Sequence, residues 1–128
     1  MSLIIYRSKD IEDAVRAVLA GHLTAYCRPL PADFTTPCIL IQSVGGSTAA
    51  TMTGKGKVDT FTVTLDSRAE SQSKADEYIR NAVAILEASG LNVSVNSLYS
   101  WGTDPARPDL AMRSATLLVT AHREQVSI

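Results

Sequence analysis

The chain is short of the residues that carry chemistry. Its 128 residues include two histidines, His22 and His122, and two cysteines, Cys27 and Cys38. No Cys-x-x-Cys or His-x-x-x-His spacing accompanies them, so no metal-ligand set is legible and no cofactor is expected. A serine or cysteine nucleophile needs a base held by an orienting acid. Cys27 with His22 is the one pairing that would make a small hydrolase, and a core role for the cysteine is the better reading. Excess charge is also missing. Charged residues are 20% of the chain and the net charge is -1, which excludes a general basic field for nucleic acid or anionic lipid. No run reaches the roughly 18 apolar residues of a helical membrane span. Leu3, Ile4, Ile5 and Tyr6 form a short apolar run, but basic residues follow it and no small-residue cleavage site is present. The protein is expected to be made and used in the cytoplasm.

Length and an apolar share of 45% fit one domain over residues 1–128 with a core of its own. Cys27 and Cys38 flank the proline-containing segment 28–37. Their spacing permits a disulfide, and two buried thiols are the preferred reading.

Two helices follow from spacing. Ser8 precedes Asp10, Glu12 and Asp13, a cap and an acidic first turn. Ile11, Ala14, Val15, Val18 and Leu19 then form one stripe, with Gly21 as a stop. Ala75, Tyr78, Ile79, Ala82, Val83 and Leu86 form a second stripe that ends at Gly90. Asp76 and Arg80 make a favourable i,i+4 pair on its other side. Ser67, Ser71 and Ser73 compete as the cap of this helix.

Strands follow from alternation. Residues 38–44 are β-rich after Pro37. In 57–66, Phe61, Val63 and Leu65 share one face and Thr60, Thr62 and Thr64 the other. In 113–123, Ala115, Leu117, Val119 and Ala121 oppose Ser114, Thr116, Leu118, Thr120 and His122. Residues 93–101 are a weaker strand, and 23–27 a short fifth one. One apolar and one polar face predict an antiparallel sheet of four to five strands, covered on one face by two helices in the order α-β-β-α-β-β. The fold class is α+β. The threonine face reads either as an ordinary solvated surface or as one that meets other copies of the chain or lines a channel.

Two segments look irregular. Residues 45–56 (GGSTAATMTGKG) are longer than a tight hairpin needs and read as a flexible arm. Gly54-Lys55-Gly56-Lys57 fails the phosphate-loop spacing, because position 49 is alanine and no Ser or Thr follows Lys55. Residues 102–110 read as a stiff proline loop. Asp104 and Asp109 there suit local backbone hydrogen bonds better than acid–base work. Tyr99 and Trp101 suit packing at a strand end better than base stacking.

The chain resembles the small tail-terminator and tail-completion proteins of long-tailed bacteriophages and prophages. The resemblance rests on the N-terminal helix, the proline-containing approach to a strand at 30–41, and the Gly-rich arm. It continues through the strand–helix unit 58–86 and the run PDLAMRSATLLVTAHR at 108–123. It implies a structural protein without enzymatic activity. The implied assembly is a homo-oligomeric ring, commonly a hexamer, that caps the tail tube and joins it to the head. Implied partners are further copies of the chain, the tail-tube protein and a head-connector protein, with no membrane and no specific nucleic acid. Its place would be the virion tail, after assembly in the host cytoplasm. Assembly contacts are expected at Thr48, Met52, Lys55 and Lys57 in the arm, at Arg107, Asp109 and Arg113 near the proline loop, and at Glu77 and Arg80 on the second helix. Two alternatives remain open: another head–tail connector or minor tail protein, and a small α+β nucleic-acid-binding domain that uses its sheet face with Tyr99 and Trp101.

Overall fold

A computed structural model describes residues 4–7, 11–50, 57–122 and 124–127. The elements are β1 (Ile4–Arg7), α1 (Ile11–Ala20), β2 (Ala25–Cys27), β3 (Cys38–Ala50), β4 (Lys57–Ala69), α2 (Gln72–Ala88), β5 (Asn92–Asp104), β6 (Arg107–His122) and β7 (Glu124–Ser127). The five-stranded sheet has the order β2-β3-β4-β6-β5, and β1 pairs with β7 in a separate two-stranded sheet.

The two stripes and the odd-numbered strand residues meet in one core. Ile11, Val15 and Leu19 of α1 and Ile79, Ala82, Val83 and Leu86 of α2 pack on Ile39, Ile41, Val63, Leu65, Ala115, Leu117 and Val119. Both helices therefore lie on one face, as the alternation predicts. Directly paired residues share a face, and the registers Leu65↔Ala115, Val63↔Leu117 and Phe61↔Val119 align the apolar positions. On the other face Thr60 pairs with Thr120, their hydroxyl oxygens 3.4 Å apart.

The structure corrects the expected topology in three ways. The sheet is mixed, because β2 runs parallel to β3. The order is β-α-β-β-β-α-β-β-β, since the N-terminal apolar run is a strand whose partner is the C-terminal segment. The face away from the helices is not uniformly open either. Cys38, Leu40, Asp66 and Arg68 point to that side by alternation and are all buried.

Local boundaries follow from the pairing. Gly45–Ala50 is no loop but the continuation of β3, paired with Lys57 to Thr62 of β4 past a register shift between Ser43 and Gly45. The rest of the expected arm, 51–56, lies outside the described residues, as do Ser8 and Asp10 of the expected α1 cap. The expected proline loop is a tight hairpin: β5 and β6 close at Asp104↔Arg107, and Asp104 Oδ1 accepts from the Ala106 backbone N–H at 3.0 Å. Ser71 is the α2 cap, accepting from the Lys74 backbone N–H at 3.2 Å. Ser67 is instead buried in β4, where its hydroxyl donates to the Ala75 carbonyl at 2.8 Å. Cys27 and Cys38 are both thiols.

Leu117 is fully buried at the centre of the core. Leu117→Asp should lower unfolding free energy by at least about 3 kcal/mol or prevent folding, because a carboxylate there has no partner. Thr62→Asp, on the half-exposed threonine face, should cost far less. Denaturant titration of the two variants checks the face assignment, and equal losses would reverse it.

Candidate functional site

Polar side chains concentrate where the apolar stripe of β6 runs out. Arg113 continues the inward-facing series below Ala115, and there it meets α2 and β5 rather than the core. Its Nε donates to Asp76 Oδ1 at 3.1 Å. Its guanidinium lies 4.3 Å from the Trp101 ring centre and 5.6 Å from that of Tyr99. Arg80 covers Tyr99 at 4.4 Å and donates to Asp76 Oδ2 at 2.9 Å. Two cations thus share one carboxylate and two aromatic rings, a geometry in which each ring attracts the charge above it. The hydrogen bond from Arg80, helped by Arg113, holds the Asp76 carboxyl below its ordinary value of 3.8. Trp101 remains 49% exposed.

Beside this stack an open groove of about 490 Å³ runs between the start of α2 and the β5–β6 hairpin, lined by Glu70, Ser71, Trp101, Asp109 and Leu110 among others. At the hairpin, Arg107 grips Asp109 through Nε–Oδ1 at 3.1 Å and Nη2–Oδ2 at 3.0 Å. The Arg107 guanidinium also lies 5.7 Å from the Phe34 ring centre. Asp109 is held below 3.8 chiefly by that arginine. Arg68, buried, donates from Nε to Asp104 Oδ2 at 3.1 Å, and its Nη1 has no hydrogen-bond partner among the described residues. The Ala106 N–H and then Arg68 keep Asp104 below its usual value.

The expected contact residues do not form one cluster. Arg80 and Arg113 are joined through Asp76, and Arg107 and Asp109 through each other. Glu77 stands apart on exposed α2, 4.0 Å from Lys74 Nζ. Thr48 and Lys57 lie at the far end of the β3–β4 ribbon, while Met52 and Lys55 lie outside the described residues. From Val58 to Ala69, β4 covers roughly 36 Å at about 3.3 Å per residue, so the ribbon end and the hairpin occupy opposite poles. Asp76, Arg68 and Asp104 are contributors that the sequence reading did not assign to the site. For Asp76 the signal was its spacing from Arg80; nothing local points to Arg113, 37 residues on.

Arginines hold Asp76 and Asp109 ionised, the reverse of what a general acid needs. Burial pushes the Cys38 thiol up to about 11, far from a thiolate nucleophile. Cys27 Sγ faces the Glu12 carbonyl at 3.5 Å and Asp13 Oδ1 at 3.9 Å. Tyr99 and Trp101 sit on the helix side, engaged by arginines, and not on the threonine face as a nucleic-acid platform would require. Among the described residues, no group of three or more His, Cys, Asp or Glu is placed to hold a metal, and no helix is long and apolar enough to cross a membrane.

Together these features describe a small α+β domain whose polar side chains hold one another at a surface. The chain belongs to the family of tail completion protein gp17, whose family model matches residues 11–119, from the first residue of α1 into β6. That makes it a member of a phage tail-completion family. No curated protein matches it. The paired strands β1 and β7 lie outside the matched region.

Two measurements check the site. The depressed Asp76 stabilises the fold while ionised, so its contribution is full above 3.8 and fades as pH falls through its lower folded value. The gap in thermal midpoint between wild type and Asp76→Asn should be widest near neutral pH and close on acidification; a constant gap contradicts this. Asp104→Ala strips a buried guanidinium of its carboxylate and should cost roughly 3 kcal/mol, whereas Asp109→Ala breaks an exposed pair and should change stability little. The reverse order in chemical denaturation would show that the hairpin is anchored elsewhere.

Proposed function

We propose that this protein is a structural ring subunit, hexameric in the assembled particle. It sits at the head-proximal end of the tail tube, stops tube growth and joins tail to head. Its partners are then its own copies, the tail-tube protein and a head-connector protein, and its place is the virion tail after assembly in the host cytoplasm. The observation that carries this reading is the family match over 11–119. The two-pole layout supports it: a subunit joining two different structures needs separate contact surfaces, and the ribbon end and the hairpin end are separated by the length of the sheet. The arginine–aromatic stack and the groove beside it suit the hairpin pole to a protein partner, since exposed tryptophan and arginine are enriched where interfaces gain most of their affinity. Identical subunits that pack head to tail close into a ring when the rotation permits.

The test is capping of purified tail tubes, read by electron microscopy. Added protein should decorate one end of each tube as a ring and halt further polymerisation. Removing residues 48–53 takes away no described core residue and, of the β3–β4 pairing, only the end pairs Thr48↔Asp59, Ala49↔Val58 and Ala50↔Lys57. The shortened protein should therefore melt within a few degrees of wild type and fail to cap. Tubes that stay uncapped and keep growing with the intact protein would refute the assignment.

A further inference from the structure

The sheet has two free edges, and they match. On one side, β5 pairs only with β6 among the described residues. On the other, β2 covers β3 only from Ile39 to Ile41. At Ser43 side chains take over: its backbone N–H donates to Glu12 Oε1 at 2.6 Å, and its carbonyl accepts from Arg28 Nη2 at 2.9 Å. Beyond that point no strand among the described residues pairs with the outer side of β3.

Edge strands of soluble proteins are normally blunted by charge, proline or bulges. Neither of these edges has charge or proline. Residues 92–103 (NVSVNSLYSWGT) and 44–50 (VGGSTAA) contain no Asp, Glu, Lys, Arg or Pro. On β5 the register shifts fall after Val95, leaving 92–95 as the regular stretch. On β3 the regular stretch is 45–50, beyond the shift at Ser43/Gly45. Following the registers across the sheet brings these stretches to one level. Asn92 pairs with Thr120, Thr120 with Thr60, and Thr60 with Ser47. Ser94 reaches Gly45 through Leu118 and Thr62 in the same way. The directions also agree. β3–β4, β4–β6 and β6–β5 are all antiparallel, so β5 runs opposite to β3. A second copy in the same orientation would present its β3 antiparallel to β5, the better of the two ladder geometries.

We infer that the β5 edge at 92–95 is the docking site for a second copy of this chain, which adds the 45–50 edge of its β3 as an antiparallel strand. The contact uses two unlike surfaces and is therefore heterologous, the type that closes into rings. It rests on the ring reading above and identifies the seam of that ring. Ring curvature slides the edges along each other, and slides of two residues keep the side-chain faces.

Cysteine cross-linking tests the seam in full-length protein with Cys27→Ser as background. Asn92→Cys with Ser47→Cys covers the level register, and Ser94→Cys with Ser47→Cys a two-residue slide. Within one chain these positions are three strand spacings apart, about 14 Å, too far for an internal disulfide. Oxidation of rings assembled on tail tubes should give, for at least one double variant, a ladder of linked chains up to the full ring. A single variant has no added thiol opposite its own and should stay monomeric, while mixtures of Asn92→Cys or Ser94→Cys protein with Ser47→Cys protein can join only one neighbour and should stop at dimers. Rings that form on tubes yet give no ladder in either double variant overturn the seam and leave the ring standing. If neither wild type nor variants form rings, both readings fall.

Discussion

Everything in this molecule is hung on β4. From Val58 to Arg68 it has a paired neighbour on each side, β3 on one and β6 on the other. A strand flanked in this way cannot slip by one residue without turning every side chain to the wrong face. Once Val63 and Leu65 point at the helices, the inward positions of β3 and β6 are decided, and with them the surface on which α1 and α2 must lie. The same lock places Arg113 at the edge of the core, where it reaches Asp76, and sends Asp66 and Arg68 to the opposite side. Asp66 there accepts from Gln42 Nε2 at 3.2 Å and from the Ser114 hydroxyl, so the outer face is joined across three strands by side chains as well as by the ladder.

Much of this was legible from sequence, for a local reason. Periods of 3.6 and 2 reveal which residues share a face, so both helices and the faces of β4 and β6 are readable from Ile11 to Leu19, Ala75 to Leu86 and the threonine series. Long-range pairing leaves no such mark. β1 and β7 find each other from opposite ends of the chain, with Ile4 opposite Ser127, and neither is long enough to show a period. The parallel placement of β2 beside β3 is equally silent. Gly45 to Ala50 has the composition of a loop, and only its pairing with Lys57 to Thr62 makes it strand.

The candidate site was half-visible for the same reason. Helical spacing showed Asp76 with Arg80, whereas the third member arrives from a strand far along the chain. Asp104 was correctly read as a turn residue that bonds its own backbone. That its second oxygen holds buried Arg68 depends on β5 and β4 being brought near each other at one end of the sheet, which no local pattern records. Arg107 and Arg113, both expected near the proline loop, have different partners: the first is occupied with Asp109 at the hairpin, the second with Asp76 and the aromatic rings.

The raised pKa of Cys38 bears on durability. A phage particle leaves a reducing cell and persists in air-saturated surroundings, where exposed low-pKa thiols are the first groups to be oxidised. Cys38 has no solvent exposure and stays protonated until about 11. It therefore fills its place in the sheet as a small apolar side chain, sheltered from the chemistry that ages a protein outside its host.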